Sequence, residues 1–418
     1  MTENIDETNS GAGAASRTAA EPGKMYEYYR GQTVAPTFGN LRDLSALERF
    51  GEHRVDLYVN KLSLPLRLFK GAEVLEFGPD TGEHALIFAR WGAEMTLVEP
   101  NPDAARQIKE YFKRFRLEDS LKAIFETDIA GFASDQRFDL IDAEGFIYTL
   151  QPASEWLRTF HRLLKDDGLT VVSYYSRLGG FMDLCLKAFY LATRDLTGQS
   201  TTETALMLYE TKWNSISHNR PFESWVMDMH ENPYVRASYF LDPLTLCQQA
   251  VEQGFELYSS WPAYRDPLQV YWHKRVLPED RRMESVPDHL ARSCLSQFTG
   301  RKMYLTPDMG QVMQVNNLLN ALVVQMDSLI DSRDDAVLSR CAELLRELAA
   351  MIPSLPMITD HPDTGSMVVS LLSKLEGAIR LIGDGKVDDL VCFTNTDRDF
   401  IDAWGLPVHF SVFRKARD

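Results

Sequence analysis

Between residues 71 and 175, short apolar runs alternate with amphipathic ones, and this rhythm leaves the chain few architectures. AEVLEF (72–77) reads as a buried strand and 82–92 as a helix. AEMTLVE (93–99) predicts a second strand and 103–116 a second helix. KAIFETD (122–128) and FDLIDAE (138–144) predict the third and fourth strands. Residues 153–165 read as a helix stopping near Lys165–Gly168, and LTVVSYY (169–175) as a fifth strand. Strands alternating with helices of this length build βαβ units on a parallel sheet. Their crossovers should be right-handed.

Outside that stretch the pattern changes. Residues 1–24 are small, polar and rich in Gly, Ala, Ser and Thr, too poor in apolar surface to fold, so a disordered tail is expected. Residues 25–70 carry helical apolar spacing, enough for one or two helices. Residues 177–235 break the rhythm with Phe181, Phe189, Tyr190, Tyr209, Trp213, Phe222, Trp225 and Tyr234, and read as a mainly helical insertion. A helix at 242–253 and strands at 254–260 and 267–274 should complete the sheet. Residues 277–288, rich in charge and Pro, read as a linker. From 289 to 418 helical periodicity dominates, at 309–330, 335–352 and 366–382. The segment 404–416 reads as extended chain packing on something else. The expected division is therefore a tail (1–24), an α/β domain (25–276) with its insertion, a linker (277–288) and a helical C-terminal unit (289–418).

Charge and cysteine content narrow the function. With 44 Lys and Arg against 60 Asp and Glu, the net charge is −16. Binding nucleic acid needs clustered cations to neutralise phosphates, so the acidic balance argues against a general nucleic-acid binder, though not against a local basic patch. Cys185, Cys247, Cys294, Cys341 and Cys392 are odd in number, widely spaced and without a C-x-x-C pair. A disulfide framework or a zinc site is not expected from them. No basic segment precedes an apolar run at the N-terminus, and no stretch approaches the ~20 apolar residues of a spanning helix. The expectation is a cytoplasmic protein with no membrane partner.

The turn after the first strand reads Glu76-Phe77-Gly78-Pro79-Asp80-Thr81-Gly82-Glu83-His84. Glycines there let backbone approach a ligand closely, at the carboxyl edge where open α/β sheets bind. The dinucleotide spacing G-x-G-x-x-G is not met, nor is the phosphate-loop pattern ending in Lys-Ser/Thr. An adenosine without phosphates fits better. Glu99, ending the second strand, could accept both ribose hydroxyls. Asp128, ending the third, could reach an adenine amino group.

These residues resemble a class I S-adenosylmethionine-dependent methyltransferase, through VLEFGPDTGEH, LVEPNP, ETDIAGF, FDLIDAEGFIYTL and LLKDDGLTVVSYY. The resemblance implies a Rossmann-like, mostly parallel seven-stranded sheet with helices on both faces, and S-adenosyl-L-methionine as cofactor. It implies that Glu76, Gly78 and Gly82 shape the pocket for the methionine moiety and that Glu99 binds the ribose. It implies that Asp128 and Ile129 contact the adenine, with Asp142 or Glu144 beside the sulfonium. Asp80 stands where the family usually has its middle glycine.

Methyl transfer is an in-line displacement that rewards correct positioning of donor and acceptor. A base helps where the acceptor must lose a proton. Candidates are His218, Asp228 and His230. Glu144, Tyr148, Tyr174 and Tyr175 are expected to line the acceptor pocket, under a lid formed by 177–235. Asp142-Ala143-Glu144-Gly145-Phe146 lacks the Asn/Asp-Pro-Pro-aromatic motif of members that methylate nucleobases or glutamine. No metal site is expected. The expected acceptor is an oxygen or nitrogen of a small molecule or glycan-type intermediate. The alternatives are a protein methyltransferase that docks its substrate on the C-terminal unit, and a scaffold that binds cofactor without turnover. The C-terminal helices should otherwise brace the fold or pair two copies as a homodimer.

Overall fold

Why the chain forms this sheet is visible in how neighbouring residues part company along each strand. Val74, Leu140, Val171 and Val412 point into one core, while Leu75, Ile141, Val172 and Phe413 point into another on the opposite face. Each fully buried side chain of this size contributes about 1.5–3 kcal/mol. The computed structural model describes residue 28 and residues 44–218, 220–265, 283 and 285–417. The expected tail (1–24), the strand at 267–274 and the first part of the linker lie outside these residues.

The chain enters through α1 (Leu44–Val55), which passes into a π-helical turn at Asp56–Lys61. Then follow β1 (Glu73–Phe77), α2 (Glu83–Arg90), β2 (Glu94–Val98) and α3 (Pro102–Arg114). The Asn101 side chain caps α3 by accepting the Asp103 N–H, and Pro102 opens the helix. Next come β3 (Leu121–Phe125), β4 (Phe138–Ala143), α4 (Ala153–Leu163) and β5 (Leu164–Tyr175). The insertion holds α5 (Phe181–Thr197), α6 (Thr201–Trp213) and α7 (Phe222–Val226), with a π-helical turn at Met227–Glu231. A capping box between Ser200 and Glu203 starts α6. Two elements, α8 (Pro243–Glu252) and β6 (Phe255–Trp261), return the chain to the sheet.

The remainder is α9 (Ser285–Arg292), α10 (Cys294–Thr299), β7 (Met303–Leu305), α11 (Met309–Asp331), α12 (Asp335–Met351), β8 (Met357–Thr359), α13 (Thr364–Gly383), α14 (Val387–Thr396), α15 (Arg398–Asp402) and β9 (Val408–Lys415). Part of the expected linker, 285–288, is thus the first turn of α9. Strands β7 and β8 form a small antiparallel pair that periodicity did not reveal.

The seven-stranded sheet runs β3-β2-β1-β4-β5-β9-β6. All its pairings are parallel except those of β9, which is antiparallel to both neighbours. The segment 404–416 is extended, as expected, and what it packs on is the sheet itself: its strand fills an interior position. This corrects one expectation. A boundary at 277–288 therefore does not separate an α/β domain from a C-terminal unit.

The insertion is mainly helical, as its sequence suggests, and it does not stand alone. Helices α5 and α6 share one continuous apolar core with α10 to α15, through Phe189, Leu208, Leu319, Leu345, Leu372 and Phe400. Residues 177–235 are part of a larger helical body. Gly179 and Gly405 sit where the chain leading into β9 crosses the start of α5; a Cβ on Gly179 would stand 1.8 Å from the Leu406 carbonyl oxygen. Among the described residues, no helix is long and apolar enough to cross a membrane.

Candidate functional site

The glycine turn lies between β1 and α2. Gly78 and Gly82 have φ of 63° and 85°, conformations that favour glycine. A Cβ on Gly78 would approach the Phe146 ring to 2.6 Å, and one on Gly82 would meet Ile108 at 2.7 Å. Asp80, between them, also has a positive φ, 49°, which Asp tolerates better than most residues.

Glu99 lies just past β2, buried. Its two carboxylate oxygens accept backbone N–H groups, Oε2 from Asp80 at 3.1 Å and Oε1 from Asn101 at 2.8 Å. Each oxygen has a further lone pair for a diol. Burial pushes the Glu99 carboxyl up to about 7, against those two bonds. Asp80 is pushed up to about 8, first by burial and then by the charges of Glu83, Glu99 and Asp228.

A second group gathers at the ends of β1 and β4. Glu76, Asp142 and Glu144 are joined there by Arg54, Tyr58 and His84. The Arg54 guanidinium binds Glu144 through both its terminal nitrogens, Nη1 at 2.8 Å from Oε2. The Tyr58 hydroxyl lies 2.6 Å from Asp142 Oδ1 and 2.8 Å from Glu144 Oε1. Burial works against a charge on Glu144, but Arg54 prevails and holds it down at about 2. Burial raises Asp142 and Glu76 well above the carboxylate range, and the Glu144 charge adds to this. A protonated Asp142 can donate to Tyr58 while Tyr58 donates to Glu144, which reconciles the two short contacts. His84 Nδ1 stands 3.8 Å from Glu76 and 3.9 Å from Glu144. Burial, then Arg54, lowers His84 to about 4.

Glu76 Oε2 and Asp142 Oδ2 are buried with no hydrogen-bond partner among the described residues. Two orphan carboxylate oxygens beside a glycine cradle suit a ligand carrying an ammonium and a sulfonium. Glu76, His84 and Asp142 also bring ligand atoms within 4.8 Å of one another, a spacing a divalent cation could bridge. The same corner already holds the Arg54 cation and lies where the resemblance puts the methionine moiety.

The third group stands over the carboxyl edge. Tyr148 and Tyr175 pack edge to face with centroids 5.2 Å apart. The Tyr175 hydroxyl donates to Met229 Sδ at 3.0 Å. Asp228, in the π-helical turn, accepts a short hydrogen bond from Arg220. Tyr28 donates to the Met227 carbonyl at 3.0 Å. Burial and the charges of Asp228 and Asp183 raise the Tyr148 phenol.

Several expected residues are placed elsewhere. Tyr174 does not face this group: successive strand residues point oppositely, and its hydroxyl lies 2.6 Å from that of Tyr264 and 3.2 Å from Ser411 Oγ, inside the sheet's core. His218 is stacked on Trp213, with Nε2 2.7 Å from the Trp213 carbonyl. His230 is buried among Tyr190, Tyr209 and Trp225, and burial lowers it to about 3. Of the three base candidates, only Asp228 joins the tyrosines. Asp128 lies beyond β3, which ends at Phe125, and is exposed; it accepts the Gly131 N–H at 2.7 Å.

Arg54, Tyr58, His84 and Asp183 were not anticipated. Leu47, Phe50, Arg54 and Tyr58 follow helical spacing and are all buried. A cation on an apolar stripe was the available signal.

The family model described as a methyltransferase domain matches residues 47–260, just over half of the chain. The chain belongs to this family, the class I S-adenosylmethionine-dependent methyltransferases. Among solved structures it is similar to a methyltransferase-type protein from Thermoplasma acidophilum, at 19% identity, over 25% of this chain and 44% of that one, with a TM-score of 0.22. A proposed sarcosine dimethylglycine methyltransferase from Galdieria sulphuraria is 11% identical, over 94% of this chain and 96% of that one, with a TM-score of 0.34. The glycopeptide N-methyltransferase MtfA complexed with S-adenosylmethionine is 21% identical, over 26% of this chain and 48% of that one, with a TM-score of 0.24. The chain thus spans less than half the length of the first of these. No curated protein sequence matches it.

Proposed function

We propose that this chain transfers a methyl group from S-adenosylmethionine to an oxygen or nitrogen of a small-molecule or glycan-type acceptor. The observation that carries the reading is Glu99, whose oxygens are each aligned by one backbone N–H of the loops around the glycine turn. When bound, the cofactor supplies an electrophilic methyl on a sulfonium. Glu99 would accept the ribose hydroxyls. Gly78 and Gly82 leave room for the methionine moiety, with the orphan oxygens of Glu76 and Asp142 meeting its positive charges. Ile129, and Asp128 if it turns from its bond to Gly131, would stand at the adenine. Tyr148 and Tyr175 would wall the acceptor side with Glu144 below, and Asp228 is the base best situated to take a proton. The helical body, α5–α7 together with α10–α15, holds that wall in place. The five cysteines are free thiols, which supports a reducing compartment such as the cytoplasm.

The test is parallel calorimetric titration of the purified protein with S-adenosylmethionine, S-adenosylhomocysteine and NAD. Binding of both sulfur compounds and not NAD is expected. Binding of NAD, or of none of the three, would remove the proposal.

A further inference from the structure

Asp183 and Asp228 stand over the carboxyl edge with Arg220 and Lys212 as the cations that act on them, and one oxygen of Asp183 has no donor among the described residues. Asp183, in the first turn of α5, is only 4% exposed. Its Oδ2 has no hydrogen-bond partner among the described residues. Lys212 lies near enough to bear on its charge, but that ammonium is committed elsewhere. Its three hydrogens match three carbonyl oxygens at the end of α15, those of Phe400 at 2.7 Å, Ile401 at 3.2 Å and Ala403 at 2.6 Å. Arg220 is committed to Asp228. Asp183 Oδ2 therefore stays buried without a donor among the described residues, and the Asp183 charge opposes ionisation of Tyr148 and Tyr175. A buried acceptor in that condition costs stability unless a ligand supplies the missing hydrogen.

We propose that Asp183, Asp228 and the faces of Tyr148 and Tyr175 hold a protonated amine, so that the methyl acceptor is the nitrogen of a primary or secondary amine. The proposal rests on the methyl-transfer reading above and narrows its acceptor. A hydroxyl could also donate to Asp183. An ammonium answers both needs, because it donates a charge-assisted bond and its charge is attracted to the tyrosine faces. In the reaction the ammonium gives one proton to a carboxylate of this group. The freed nitrogen lone pair then forms a bond to the methyl carbon while the carbon–sulfur bond breaks. That electron pair stays on sulfur. The products are neutral S-adenosylhomocysteine and a methylated ammonium. Burial pushes Asp183 up to about 7, so it can take a proton and release it near neutral pH.

The test uses the full chain loaded with S-adenosylhomocysteine. Probes are two charged and neutral pairs of matched shape, butylamine with butanol and glucosamine with glucose. Binding is read by thermal shift and calorimetry. At least one amine is expected to stabilise the loaded protein, and its neutral partner is not. In Asp183→Asn the amine should bind about tenfold or more weakly, Asp183→Glu should recover part of the loss, and S-adenosylhomocysteine binding should stay within about twofold. Equal response to amine and neutral partner, no response to any amine, or full amine binding by Asp183→Asn would overturn the proposal. Failure of the parent protein to bind S-adenosylhomocysteine would instead refute the methyl-transfer reading.

Discussion

Replacing Glu99 with Ala tests the cofactor site most directly. The carboxylate receives N–H groups from Asp80 and Asn101, which leaves a lone pair on each oxygen for a ribose hydroxyl. Two charge-assisted bonds to a buried diol should together contribute about 2–4 kcal/mol. That corresponds to a Kd about thirtyfold to several hundredfold weaker. The replacement also frees the Asp80 N–H, which loosens the glycine turn and adds to the loss. Calorimetry with S-adenosylhomocysteine is the right assay, because this ligand binds without turnover. Glu99→Gln should fall between parent and Ala: it keeps one acceptor oxygen but turns an amide NH2 toward a backbone N–H. If Glu99→Ala binds within about twofold of the parent, the ribose is held elsewhere and the proposed orientation of the cofactor is wrong.

Protonation gives a second prediction. Asp80 and Glu99 hold protons up to about 8 and about 7, and a cationic ligand favours their ionised forms. S-adenosylmethionine binding should therefore release protons and tighten as pH rises from about 6 to about 8, whereas S-adenosylhomocysteine, lacking the sulfonium charge, should respond less. Calorimetry in buffers of different ionisation enthalpy counts the protons; equal pH dependence for the two ligands would contradict the assignment. Gly78→Ala forces a Cβ against Phe146 at a positive φ and should weaken S-adenosylhomocysteine binding by about tenfold or more, with a loss of about 1–3 kcal/mol in unfolding from the same strain. Arg54→Gln leaves Glu144 buried beside other carboxyls and should cost about 3–5 kcal/mol in denaturant unfolding; adding Glu144→Gln should restore part of that. An unchanged midpoint in Arg54→Gln would show that Glu144 takes up a proton at no cost.

How far the sequence could be read depended on the range of the signal. Strands β1 to β5 and the helices between them were legible because each is announced by local alternation. Glu99 was legible because a glycine turn fixes where the next strand must end. Tyr174 was misread because two adjacent tyrosines ending a strand carry no mark of which faces solvent or pocket. His84 follows the glycine turn directly, so its place could have been inferred from position. Asp183 sits within FMDLCLKAFY, where an acid in an apolar run is itself a signal. The union of α5 and α6 with the later helices was not legible at all. Periodicity gives each helix an apolar face, but not the helix that covers it.

The placement of β9 bears on how the molecule is made. Residues of β5 and β6 leave the ribosome long before Val408–Lys415, with the whole of α9 to α15 between. Until that strand is synthesised, Val172 and its neighbours on β5 lack a ladder partner on one side, and Ser260 and its neighbours on β6, whose ladder in the sheet is with β9, lack theirs; such edges invite pairing with other chains. The sheet must close through contacts of very high sequence separation, which slows folding. During synthesis the nascent α/β half would therefore depend on the helical body, or on a chaperone, to keep the place between β5 and β6 open until β9 arrives.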